Sequence, residues 1–148
     1  MNKFEMLIQE LGQILGISLE AEQGSLCKMF IKEKVHLQIE YDEEFERIIL
    51  ACFVCEVPPG KFREDTLTAA LKANYIDSSL GSFSYVESTQ TLILQLYLPS
   101  SVAAPLLGTL LQQFTEKAID WKEAIEHGNV SGLVPSVGSS LPSPMNLS

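Results

Sequence analysis

Cys52-Phe53-Val54-Cys55 has the C-x-x-C spelling that holds a metal or cycles a disulfide when both sulfurs converge on a tight turn or at the start of a helix. The motif falls instead inside "RIILACFVCEV" (47–57), a run that reads as a strand, where a separation of three sends the two side chains to opposite faces. Two buried structural thiols are therefore expected, and Cys27 has no partner at a suitable spacing. His36 and His127 are the only histidines, too few and too far apart in sequence for a zinc site. His36 belongs to the polar side of a strand, and His127 lies near a helix C-terminus, where a dipole contact is favourable. Glu40, Asp42, Glu43, Glu44 and Glu46 form an acidic run without the glycine-containing spacing of an EF-hand, so a charged hairpin that keeps a sheet soluble is the expectation. No phosphate-binding glycine loop and no G-x-S-x-G elbow occurs. The residues offer no catalytic set, no metal site and no cofactor site, and the reading is that of a protein that is not an enzyme.

The elements that would carry these residues follow from periodicity. Phe4, Leu7, Ile8, Leu11, Ile14 and Leu15 recur at helical steps, which predicts an amphipathic helix over 2–15. Gly16 can take the left-handed cap with Ile17 packed back on the helix end. Strands are predicted at 26–32, 35–41 and 47–57. In the second, Val35, Leu37, Ile39 and Tyr41 alternate with polar residues; the third is apolar almost throughout and reads as a central strand covered on both faces. Pro58, Pro59 and Gly60 stop it, and a helix follows that turns Phe62, Leu67, Ala70 and Leu71 inward and ends at Asn74. Strands at 82–88 and 91–98 form an antiparallel hairpin. A last helix starts near Ser101 and runs to Gly128, with a stripe of Val102, Leu106, Leu110, Phe114, Ala118, Trp121 and Ile125 widened by Leu107 and Leu111. The fold class is thus α+β, in the order α-β-β-β-α-β-β-α: an antiparallel five-stranded sheet packed with three helices, forming one domain over 1–128. Residues 129–148, rich in Ser, Pro and Gly, read as a flexible tail.

At 148 residues, 46% hydrophobic and 20% charged, the chain suits a single ordinary core. Its net charge of -9 opposes nucleic-acid and anionic-membrane partners, which need clustered Lys and Arg. No apolar run is long enough to span a bilayer, the N-terminus lacks a secretory pattern, and the odd cysteine count suits a reducing compartment. A cytoplasmic location is expected.

Apolar surface is in surplus: Leu26, Met29, Phe30 and Ile31 occupy both faces of the first strand, and a five-stranded sheet has edges. Core packing can absorb this surface, or a partner chain can cover it, by strand addition at an edge or by side chains filling grooves.

The element order, with Leu67, Ala70, Leu71 and Asn74 of "LTAALKANY", Gly81, "LILQLYLP", and Phe114, Ala118 and Trp121 of "LLQQFTEKAIDW", resembles the class I chaperones of type III secretion, the Tir-chaperone (CesT-like) family. The resemblance covers about residues 2–127. It implies no catalysis and no nucleotide, but a cytosolic homodimer around which the N-terminal chaperone-binding region of a secreted effector wraps in extended form, kept soluble and delivered to the export apparatus. It implies dimer contacts from the segment that holds Leu67, Leu71, Tyr75, Phe83 and Tyr85. It also implies effector contacts on the first helix and first three strands, which position in the pattern assigns to Leu7, Leu11, Leu26, Met29 and Ile31. The alternative is a small α+β regulatory or ligand-binding module like the YbjN-like proteins, which share this fold outside secretion.

Overall fold

The structure is a computed structural model that describes residues 1–134. Helix α1 spans Lys3–Leu15, strands β1 Leu26–Ile31, β2 Val35–Asp42 and β3 Arg47–Glu56, helix α2 Lys61–Ile76, strands β4 Ser82–Val86 and β5 Thr91–Pro99, and helix α3 Ala104–Glu126, followed by a short 3-10 turn at Ser131–Leu133. This is the expected order. The five strands form one antiparallel sheet in the order β1-β2-β3-β5-β4, with β3 central as its apolar run foretold.

Each helix end has an identifiable cause. Asn2 caps α1 through a capping box, its side chain accepting from the Glu5 N–H at 2.7 Å while Glu5 Oε1 accepts from the Asn2 N–H at 2.9 Å. Gly16 at φ 72° closes the other end, and the Ile17 N–H reaches the Gly12 carbonyl at 3.0 Å, as in a Schellman cap. The Ile17 side chain, expected on the helix end, is exposed instead. Helix α3 begins at Ala104 rather than Ser101, with Pro105 in its first turn, and leaves through His127 and Gly128, whose φ is 74°.

Helix α3 covers one face of the sheet over β2 and β3, α1 packs against α3 with Phe4 beside Tyr41 of β2, and α2 lies beside β4. The covered face carries Val35, Leu37 and Ile39 of β2, Ile48, Leu50 and Cys52 of β3, and Leu92 and Leu94 of β5, all at most 2% exposed. Register explains the selection, because Leu37, Cys52, Leu94 and Phe83 are successive cross-strand partners and so share a face. Phe114 fills the centre at 0% exposure; truncating such a side chain to alanine costs about 3–5 kcal/mol.

Several sequence expectations shift in phase. The buried stripe of α3 is Leu107, Leu111, Phe114, Ala118, Trp121 and Ile125, a strict alternation of four- and three-residue steps, which turns Leu106 outward. On α1, Ile14 is half exposed although it touches α3 at Gly108. On α2 the inward residues are Thr66, Ala69 and Ala70, while Leu71 points to solvent. That helix passes Asn74 and ends at Ile76. Strand β3 is not covered on both faces among the described residues: Phe53 is 45% exposed on the side away from α1 and α3. The packed region also extends past 128, since Val130 is buried and the 3-10 turn lies against α3. The rest of the expected tail, residues 135–148, lies outside the described residues.

Candidate functional site

The C-x-x-C motif does not follow simple alternation. A β-bulge between Phe53 and Cys55 pairs Cys55 with Leu92, and both thiols are influenced by Lys122 of α3, so the motif does not divide its cysteines between the two faces. The outcome for chemistry is unchanged. Burial pushes the Cys52 thiol up to about 12 and the Cys55 thiol up to about 11, far from nucleophilic, and all three cysteines are free. Among the described residues no three His, Cys, Asp or Glu side chains are grouped to hold a metal ion. His36 stacks on Phe30 with ring centroids 4.4 Å apart, and His127 Nδ1 lies 2.6 Å from the Glu123 carbonyl at the end of α3.

What the fold presents is surface for another chain. Of the five expected effector contacts, Leu11 is fully buried beneath α3 and unavailable to a partner in this conformation. Leu7, Met29 and Ile31 are partly buried and packed against the core, whereas Leu26, also partly buried, shares by register the opposite face of the sheet with Phe30 and is not brought together with them. Ile31 lines a groove of about 340 Å³ together with Leu15 at the end of α1 and Leu111 of α3. A larger groove of about 750 Å³ lies between the end of α2, the following loop and α3, where Lys117 sits among Asp77, Glu116 and Asp120.

The expected dimer contacts divide similarly. Leu71 and Tyr75 are 69% and 74% exposed, and with the partly buried Leu67 they make a stripe of four-residue steps along α2. Phe83 is withdrawn from solvent under Trp121, ring centroids 4.4 Å apart, because its position in register faces the core; Tyr85 is partly buried.

Sequence reasoning missed exposed Met6, Ile14 and Ile17 on and after α1, and Phe53, Phe45 and Tyr97 on the side of the sheet without helices, where Phe30, already counted in the apolar surplus, is exposed as well. Phe30, His36, Phe53 and Ile93 are successive cross-strand partners, so the row was implicit in the alternation. Which face the helices leave open was not.

The turn between α2 and β4 is held by backbone geometry. Gly81 has φ +109°, and a Cβ there would lie 2.9 Å from the Gln95 carbonyl and 3.2 Å from Phe114, so only glycine fits.

Edge chemistry is concentrated on β1. Leu26 exchanges backbone hydrogen bonds with Glu22 on the side away from β2, at 2.6 and 3.2 Å. By strand alternation the N–H and C=O groups of Lys28 and Phe30 also point away from β2, and no side chain among the described residues bonds them.

Neither a protein-family model nor a curated protein sequence matches the chain. Solved structures do. A chain of the HopA1–SchA chaperone–effector complex superposes with a TM-score of 0.69 at 18% identity, covering 82% of this chain and 94% of that one. A chain of the ExsC–ExsE complex gives 0.68 at 17% identity over 83% and 93%. The structure of the Yersinia pestis type III secretion chaperone SycH with a stable fragment of YscM2 gives 0.61 at 14% identity over 80% and 98%. The chain therefore has the fold of the class I type III secretion chaperones, as its residues foretold.

Proposed function

We propose that this protein is a cytosolic, homodimeric secretion chaperone that holds the N-terminal chaperone-binding region of a secreted effector in extended, soluble form and delivers it for export. The observation that carries this reading is the similarity, over four-fifths of the chain or more, to a chain of a chaperone–effector complex and to one of a type III secretion chaperone solved with a fragment of another protein. The surfaces support it. An extended segment can add to the open edge of β1 through Lys28 and Phe30, with apolar side chains reaching the Met29 and Ile31 margin and the groove between Leu15, Ile31 and Leu111. Such a clamp needs no nucleotide, because main-chain hydrogen bonds and apolar burial suffice to hold the segment. A second copy would meet this one through Leu67, Leu71, Tyr75 and Tyr85. The net charge of -9 keeps the loaded complex soluble.

Purification from the native cytosol with mass spectrometry tests the reading. The expected result is recovery of a secreted protein whose N-terminal region is protected from protease, lost with Leu26→Glu or Met29→Glu and retained with the exposed control Glu126→Lys. Recovery unchanged by the first two, in variants that melt as the natural chain does, would refute the assigned surface.

A further inference from the structure

The two edges of the sheet are chemically unequal. Strand β4 is the outer strand opposite β1, and its outward backbone groups belong to alternate residues, Phe83 and Tyr85, preceded by Gly81. The Phe83 N–H donates to Asn74 Oδ1 at 2.6 Å, and Asn74 Nδ2 donates to the Phe83 carbonyl at 2.9 Å. Lys117 Nζ donates to the Gly81 carbonyl at 2.9 Å and lies 5.2 Å from the Phe83 ring centroid. An amide is the side chain that offers one acceptor and one donor in the pattern of a peptide unit, so Asn74 stands on α2 where a neighbouring strand would stand.

We infer that Asn74 and Lys117 close the β4 edge, so that this sheet accepts an added strand only at β1. A strand approaching β4 must break the two Asn74 bonds and the Lys117 bond before making its own. The exchange gains no net hydrogen bond, while the entropy of ordering the incoming segment remains unmet. Only the backbone groups of Tyr85 stay open, too few to template a strand. At β1, among the described residues, nothing bonds the outward groups of Lys28 and Phe30. The two side chains come from different helices, so packing α2 and α3 is what shuts this edge, and the inference stands whether or not the chain carries a secreted protein.

The test uses the full chain, as Asn74→Ala with Lys117→Met and as Asn74→Asp alone, which keeps the acceptor for the Phe83 N–H but loses the donor for its carbonyl. Hydrogen exchange at the Tyr85 amide is followed by NMR at concentrations over which the natural chain has constant mass, with sedimentation velocity alongside. In the double variant Tyr85 protection should rise about tenfold or more with concentration as larger species form through paired β4 edges, with a smaller rise in Asn74→Asp. Simple destabilisation lowers protection and cannot produce that rise. Should the double variant not fold, Asn74→Asp decides alone. Tyr85 protection independent of concentration in a folded variant, or already rising in the natural chain, would overturn the inference.

Discussion

At the scale of single residues, Cys52 shows how position overrides motif. It is fully buried in the central strand, and desolvation holds its thiol near 12 against an ordinary value of 9.0. In the unfolded chain it ionises near 9, so above that pH the unfolded state has shed a proton that the folded state keeps. The stabilising contribution is therefore complete below about 9 and declines as pH rises toward 12, by up to about 1.4 kcal/mol per pH unit. Lys117, whose pKa burial lowers, acts with the opposite sign below its ordinary 10.5, so the thiol is isolated by comparison with Cys52→Ala. Denaturant unfolding at mildly alkaline pH should show the natural chain losing more stability than Cys52→Ala between about pH 9 and 10.5; equal losses would contradict the assignment. The burial of this thiol was legible from the apolar run around it. The bulge that moves Cys55 was not, because it depends on how β5 pairs with β3. Asn74 was equally opaque: a residue that reads as a helix end in sequence is a surrogate strand partner in space, and only the approach of α2 to β4 reveals it.

At the scale of elements, the existence and order of every helix and strand could be read from periodicity, while rotation about the helix axes could not. A stripe widened to Leu106, Leu107, Leu110 and Leu111 fits two neighbouring phases, and packing against β2 and β3 selects the one that buries Leu107 and Leu111. The same ambiguity on α2 placed Leu71 inward by pattern, whereas the structure buries Thr66 and two small residues, Ala69 and Ala70, and leaves Leu71 exposed. That leaves Leu67, Leu71 and Tyr75 as the side of α2 available to a second copy. If the proposed homodimer forms through this side, light scattering at tens of micromolar should report a dimer for the natural chain and a monomer for Leu71→Glu, while the melting temperature of the protomer changes little. A folded Leu71→Glu dimer would remove α2 from the interface.

At the scale of the whole molecule, the sheet has, among the described residues, one helix-covered face, one edge closed by Asn74 and Lys117 and one edge without such partners, an asymmetry that suits the proposed clamp for an extended segment. The fold was legible because element order and the apolar patterns agree with each other at every step. The binding surface was legible only to the element: Leu11 and Leu26 look alike in the sequence, yet Leu11 is sealed under α3 and Leu26 sits at the sheet margin. The central claim is that an extended cargo segment joins the sheet at β1, and amide hydrogen exchange of the chain with and without its co-purified cargo addresses it directly. The Lys28 and Phe30 amides should become strongly protected on binding, with Tyr85 unchanged. Cargo bound with Lys28 and Phe30 still exchanging freely, or with protection gained along β4 instead, would contradict the claim.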